Sequence, residues 1–281
     1  FVLLPAGKPH GAVVLLHGLT DSPYSVRHLA ENYQKHGFVA VVPRLPGHGT
    51  APGALTDVDW ESWLAATRLA VREATRLTGN DLPLHLVGYS NGGALAMKYA
   101  LDALDAPELR KPQQIVLLSP MIGVTAFARF AGFAGLPAML PAFAKAAWLN
   151  ISPEYNPYKY NSFPVNAARQ SWLLTQALHE QINRDVHDHK LAQLPPVLAF
   201  QSVMDSTVST RAVVSGLFDQ LPANGSELVV FDINQAGSFR PLFRPSSWTA
   251  VADLLPEAKR RYSVTIVTNA SPDRFDMVAK K

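Results

Sequence analysis

The chain has no cysteine. Disulfides, thiolate zinc sites and a cysteine nucleophile are therefore excluded, while the compartment stays open because cytosolic and exported proteins alike can lack the residue. It also lacks an excess of one charge: 25 Lys and Arg stand against 22 Asp and Glu, a net charge of +3. With no basic run and no basic strip interleaved with aromatics, nucleic acid is not an expected partner. Nor is there a clean hydrophobic span. The longest apolar stretch, "VTAFARFAGFAGLPAMLPAFAKAAWL", is interrupted by Arg129, Pro137, Pro141 and Lys145, a mixture that a transmembrane helix seldom tolerates. The first residue is Phe1 rather than methionine. The end, "RYSVTIVTNASPDRFDMVAKK", begins what reads as a strand and then a helix and stops. Both ends are expected to be cut, and a leader peptide or lipid anchor before Phe1 would be invisible.

What is present is ordinary for a globular chain: 281 residues, 48% of them apolar and 17% charged, enough for one large domain or two small ones. Short β-branched runs alternate with amphipathic stretches. Strands are expected over Ala12–His17, Phe38–Val42, Leu84–Gly88, Ile115–Ser119, Pro196–Gln201, Leu228–Ile233 and Ser263–Val267. Several are apolar without alternation, which suits parallel strands buried on both faces. Helices are expected near Ser22–His36, Asp59–Thr78, Asn91–Leu104, Thr210–Gln220 and Ser246–Leu255. In the second of these, Trp60, Trp63, Leu64, Thr67, Val71, Ala74 and Leu77 share an inward face, and Arg68, Arg72 and Arg76 form a solvated row. Thr56 and Asp59 offer it a Thr-x-x-Asp cap. The alternation predicts an α/β fold with a doubly wound, mostly parallel sheet, whose ligands bind at the carboxyl ends of the strands.

Between Pro120 and Leu194 the alternation stops and no strand is expected. Short helices broken at prolines fit this stretch, which reads as a helical cap over residues 121–194. It would be inserted between a first core segment, 1–120, and a second, 195–281, which is expected to be incomplete. Ordinary core helices are the alternative reading of the same residues.

The sequence is most informative at Gly88-Tyr89-Ser90-Asn91-Gly92, a G-x-S-x-G pattern between an apolar strand and a helix. That context makes it a nucleophile elbow. The turn strains the serine backbone, so its neighbours must be small, and Gly88, Gly92 and Gly93 meet that need. The helix start brings backbone N–H groups and the positive dipole end to the reacting carbon. His17-Gly18-Leu19-Thr20 follows the first strand. The N–H of Leu19 with that of Asn91 would form an oxyanion hole. His17 and His48, the latter in "VVPRLPGHGTAPG", are read as braces for their loops.

Together, "LLHGLTDSP", "RLPGHGTAPG", "DWESWLAA" and "LVGYSNGGALAMKYA" resemble the α/β-hydrolase superfamily, especially the branch of bacterial carboxylesterases, monoacylglycerol lipases and lysophospholipases, the serine aminopeptidase-like hydrolases. The resemblance is strong over residues 11 to about 120 and weak over 195 to 235. It implies an eight-stranded sheet, a Ser–acid–His triad, no cofactor, and a small, lipophilic ester as substrate. The apolar cap residues Phe127, Phe130, Phe133, Met139, Leu140 and Phe143 would then cover an acyl pocket. In the family's chain order the acid follows a late strand, and "PPVLAFQSVMDSTVST" offers Asp205, in a loop that Ser206 and Thr207 could orient. Asp232, one strand later, is the rival. The base should come next, but the last of the nine histidines is His189. Three accounts compete. The base lies beyond Lys281; His187 or His189 in "RDVHDHK" swings in from the cap; or the base has been lost and the protein binds ligands without cleaving them. "HDHK" as a metal site is a weaker reading than a solvated polar loop. Nothing in the sequence speaks to the oligomeric state.

Overall fold

The computed structural model describes residues 1–123, 146–205, 207–232, 254–255, 259–271 and 274–281. At its centre lies a twisted sheet. In chain order the strands are β1 Val2–Leu3, β2 Gly11–Leu16, β3 Phe38–Val41, β4 Leu84–Tyr89, β5 Gln114–Leu118, β6 Trp148–Asn150, β7 Phe163–Pro164, β8 Val197–Ser202, β9 Glu227–Phe231, β10 Ser263–Asn269 and β11 Met277–Lys280. Among the described residues nine of them form one sheet in the order β1-β3-β2-β4-β5-β8-β9-β10-β11, and β6 pairs with β7 apart from it. From β3 to β10 every pairing is parallel. β1 and β11 run antiparallel at the two edges.

The seven strands read from the sequence all form, within a couple of residues of their expected bounds. The sheet carries one strand more than the eight that the family resemblance implies. Two expectations are corrected. Strands β6 and β7 lie where none was expected. The end of the chain makes strand β11 rather than a helix, because Ala270 donates to Asp276 O (2.8 Å) and Asn269 Nδ2 to Arg274 O (2.8 Å), closing a hairpin onto β10.

The five described helices are α1 Arg27–Lys35, α2 Trp60–Thr78, α3 Asn91–Asp105, α4 Val165–His187 and α5 Thr210–Gly216. β2 shows why the sheet needs cover on both faces. All six of its residues are buried, and successive side chains point to opposite faces. Val13 and Leu15 pack with Val26 and Ala30 beside α1. Ala12, Val14 and Leu16 join the main core with Trp63, Leu95 and Leu174 from α2, α3 and α4. All but Leu254 and Leu255 of the expected helix at Ser246–Leu255, and the aromatic residues of 127–143, lie outside the described residues.

α2 is capped by Asp59 alone, whose carboxylate accepts from Ser62 N (2.7 Å). Thr56 instead bonds back to Gly53 O (2.7 Å) in the preceding 3-10 turn, so the Thr-x-x-Asp cap does not form. Trp63 is fully buried and gives its indole N–H to Pro46 O (3.0 Å), tying α2 to the loop after β3. Of the arginine row, Arg68 pairs with the largely buried Asp102 and Arg76 with Glu73, both at 2.7 Å; the second pair lies in solvent, where such pairs contribute little.

α4 packs against α3 through Leu174, Leu178 and Ile182, spaced one turn apart and fully enclosed. Each contributes about 1.5–3 kcal/mol of apolar burial. The same helix buries Asp185 completely, with no hydrogen bond to either carboxylate oxygen. Its nearest cation is Arg184 Nε at 4.0 Å. Burial, followed by the nearby Asp105 charge, raises the Asp185 pKa. The fold therefore holds the Asp185 proton more tightly than the unfolded chain does, and the residue's contribution to stability falls as pH rises through the carboxylate range. Asp185→Asn is expected to raise the free energy of unfolding at neutral pH by about 1 kcal/mol, the order of an unsatisfied buried polar group. The gain should shrink at about pH 4. Urea denaturation at the two pH values reads both.

Candidate active site

Ser90 has φ 53° and ψ −114°, a backbone state that costs a non-glycine residue of order 1–3 kcal/mol and persists only where the surroundings impose it. They do so here through both sides of the residue. Ser90 N donates to Leu118 O (2.9 Å), and Ser90 O accepts from Gly93 N (2.9 Å) and Met121 N (3.0 Å). The glycines are required by close approach. A Cβ on Gly88 would collide with the Gly92 carbonyl, one on Gly92 with the Leu16 carbonyl, and one on Gly93 would stand 2.8 Å from Pro120 Cβ. The elbow is a place where β2, β4 and α3 touch backbone to backbone.

The loop after β2 is held with equal care. Gly18 O accepts from Asp21 N (3.2 Å) and from His17 Nδ1 (2.9 Å). The tautomer follows from the other ring nitrogen, since His17 Nε2 accepts from Leu45 N (3.1 Å) and so carries no proton. In a trans peptide the C=O and the next N–H point opposite ways. Anchoring Gly18 O therefore sets the direction of the Leu19 N–H. His48 Nε2 meets Leu19 O at 2.7 Å and its Nδ1 meets Pro46 O at 2.9 Å, while the two imidazoles pack edge to face at 4.9 Å. Burial, with a lesser contribution from His48, drives the His17 pKa down to about 3, and burial lowers that of His48 despite its carbonyl partners.

Asp205 stands just past β8. Its Oδ1 accepts from Thr207 N and Val208 N, both at 2.9 Å, and Gln201 Nε2 lies 3.5 Å from Oδ2. Ser206 lies outside the described residues. Because β2, β4, β5 and β8 are neighbours and parallel, their carboxyl ends bring Leu19, Ser90, Asn91 and Asp205 to one edge of the sheet. β4 and β8 are separated only by β5, about 10 Å across two strand spacings. Asp232 ends β9, one strand further out, and receives Thr268 Oγ1 (3.1 Å) from β10.

No histidine ring hydrogen-bonds Ser90 or Asp205. His17 and His48 are committed to the loops. His179 Nε2 binds Ile122 O (2.8 Å). His187 and His189 are carried to the far end of α3, where neighbouring Lys190 pairs with Asp105 (2.7 Å). Ser90 precedes the first residue of that helix, about 20 Å away at 1.5 Å per residue. This separation is the reason the "HDHK" histidines do not serve the elbow. Among the described residues no group of three potential metal ligands occurs. Tyr160 gave no signal in the sequence. Its N–H donates to Thr20 O (2.7 Å), its hydroxyl to Gly47 O (3.1 Å), and the hydroxyl receives Thr50 N (2.9 Å). It straps two loops that lie more than a hundred residues away in the chain.

The parallel sheet with a serine elbow following β4 and a histidine-braced loop following β2 defines an α/β-hydrolase. Within that class the chain belongs to the family described as "Serine aminopeptidase, S33", whose model matches residues 7–232. It is 36% identical over 89 residues to a thermostable monoacylglycerol lipase of Bacillus sp. (strain H-257), a match over 31% of this chain and 34% of that protein. It is 26% identical over 122 residues to phospholipase YtpA of Bacillus subtilis (strain 168), covering 42% of this chain and 44% of that protein. The chain thus matches less than half the length of these relatives. A solved structure of a monoglyceride lipase from Saccharomyces cerevisiae superposes with a TM-score of 0.62 at 13% identity, over 82% of this chain and 80% of that one, a likeness of fold. No described helix is long and apolar enough to cross a membrane.

Two measurements test this geometry. Gly88→Ala is expected to destabilise the fold by about 3 kcal/mol, the upper range for forced overpacking, read as a lowered melting temperature. His17, with its pKa held below that of an unfolded histidine, supports stability that is fully present above about pH 6.5 and fades as pH falls toward 3. Its ring resonances in NMR should therefore show the neutral Nδ1–H form throughout the range from pH 8 to about 4.

Proposed function

We propose that this protein is a serine hydrolase of carboxylic esters with lipophilic acyl chains. The strained Ser90 elbow, set beside a rigidly braced Leu19, is the observation that carries this reading. In the reaction the Ser90 Oγ attacks the ester carbonyl as a histidine takes its proton. The tetrahedral oxyanion is met by the N–H groups of Leu19 and Asn91, where preorganised donors act most strongly. Collapse releases the alcohol with the proton that histidine returns, leaving an acyl-serine, and water reverses the sequence to free the acid. Asp205, fixed through Oδ1, turns Oδ2 toward the imidazole and selects its productive tautomer. The histidine in this reading is not among the 281 residues. The cap over the acyl chain is assigned to residues 121–194, between core segments 1–120 and 195–281, with the exception of α4, which packs into the main core against α3. The acyl-ester substrate class is supported by the monoacylglycerol lipase and phospholipase relatives.

One observation favours a second reading, an inactive hydrolase-like protein that binds a lipophilic ligand or a protein partner. It is that all nine histidines lie away from the elbow or are committed elsewhere. The two readings part in one experiment on the full-length protein. The hydrolase reading expects labelling by a fluorophosphonate probe that Ser90→Ala abolishes. It also expects turnover of p-nitrophenyl esters that falls by about 10⁴-fold in Asp205→Asn, the loss that follows when the histidine tautomer is no longer held. An unlabelled, inert full-length protein would establish the binding reading.

A further inference from the structure

Between α2, the last turn of α3 and the loop that leads into β5 lies a cavity of about 1010 Å³. Its lining includes Asn80, shortly before β4, and Gln113, immediately before β5. It therefore sits at the amino end of β4, whose other end carries Ser90 about 20 Å away, too far for one small molecule to meet both. Four cations line it, Arg68, Arg72, Arg110 and Lys111, against one acid, Glu108. The Arg68 charge is answered by Asp102 (2.7 Å). Among the described residues no carboxylate forms an ion pair with Arg72, Arg110 or Lys111. Arg110 is half-buried. Its Nη1 donates to Thr75 Oγ1 (3.2 Å) and Thr78 Oγ1 (3.3 Å), and its Nη2 to Leu82 O. Both hydroxyls give their own protons to helix carbonyls, Val71 O and Ala74 O, at 2.9 Å. The buried Tyr99 hydroxyl fixes the other end of the residue by donating to Arg110 O (3.0 Å). Every one of these partners is uncharged. They hold the guanidinium in place and leave its charge unanswered. Burial lowers the Arg110 pKa, with Tyr99 opposing.

A charge withdrawn from water is ordinarily paired, and here three cations converge on one cavity without a partner. Arg68 and Arg72 stand one turn apart on α2, so their side chains lie next to each other. Val71, Leu104, Pro107 and Leu109 give the same cavity an apolar wall. We propose that this cavity is a binding site for a small organic phosphate monoester, its phosphate held by Arg72, Arg110 and Lys111 and its apolar body laid against the wall. A phosphate monoester carries nearly two negative charges at neutral pH, which suits several unanswered cations better than a single carboxylate does. Its oxygens also match the guanidinium fork. Inorganic phosphate alone would leave most of the cavity unfilled. Because Arg110 is already held by Thr75, Thr78 and Leu82, little side-chain freedom is lost when the anion arrives. The site is independent of the chemistry at Ser90 and stands whether or not the protein cleaves esters.

The experiment is binding of 1-naphthyl phosphate and of neutral 1-naphthol to the full-length protein by isothermal titration calorimetry. The phosphate is expected to bind at least about tenfold more tightly, the worth of one charge-assisted hydrogen bond. Arg72→Gln combined with Lys111→Gln is expected to remove most of that ratio. Both side chains are exposed, so the double variant should melt at the native temperature. Arg72→Lys, which keeps the charge but not the fork, should retain part of the preference. Lys35→Gln, a charge removed from the exposed end of α1, should leave it unchanged. No preference in the native protein, or one that the double variant and Lys35→Gln reduce equally, would overturn the proposal. Sedimentation with phosphatidic-acid vesicles separates a lipid headgroup from a free ligand. Vesicle binding that the double variant weakens, with no preference for 1-naphthyl phosphate over 1-naphthol, would overturn the small-ligand site in favour of a membrane-facing one.

Discussion

The contact on which the active edge depends is the approach of three backbones at the elbow. β4 turns into α3 so tightly that Gly88 meets the Gly92 carbonyl, and Gly92 meets the Leu16 carbonyl at the end of β2. Side chains are absent there because there is no volume for them. That closeness forces Ser90 to a φ of 53°, and three backbone hydrogen bonds, one each with β5, its exit loop and the first turn of α3, keep it there. The strain is sustained by the sheet, since β4 lies between two parallel neighbours and cannot relax without breaking both ladders. It also fixes the start of α3 against the loop that follows β2, so Ser90 and the backbone N–H groups of Leu19 and Asn91 share one rigid frame.

The second layer of order is a pair of buried, neutral histidines used as struts. His17 joins Gly18 O to Leu45 N, and His48 joins Leu19 O to Pro46 O. An uncharged imidazole suits His17 because it bridges an acceptor and a donor without placing a charge in the core, whereas His48 faces two carbonyl acceptors and in its neutral form donates to one of them. The same commitment withdraws both rings from proton transfer. A chain with nine histidines is thus left with none at its serine, and abundance of a residue type says little about its availability.

Much of the fold was legible because its signals are local. Apolar runs of strand length, the glycine spacing around Ser90 and the Asp59 cap each depend on neighbours within a few residues. The errors arose where pairing partners were distant or weak. β11 is an exposed edge strand, its four residues all open to solvent, and it is a strand only because β10 lies beside it. β6 and β7 are short and pair across a long connection. Thr56 satisfied the pattern of a cap but found a nearer acceptor in Gly53 O. Tyr160 was invisible because its hydroxyl bonds the loop of Gly47 to Thr50, which no spacing rule connects to it.

By itself the sequence determined that Ser90 sits in an elbow, that the sheet is parallel and covered on both faces, and that no histidine follows the expected acid. Each of these is set by residue type and short-range sterics. Tertiary structure alone decided which donors hold Gly18 O, that His187 and His189 are carried about 20 Å down α3, and that Asp21 is buried beside Gly18 and Tyr89. These depend on which segments the sheet order brings together, since hydrogen bonds form between groups that meet in space however far apart they lie along the chain.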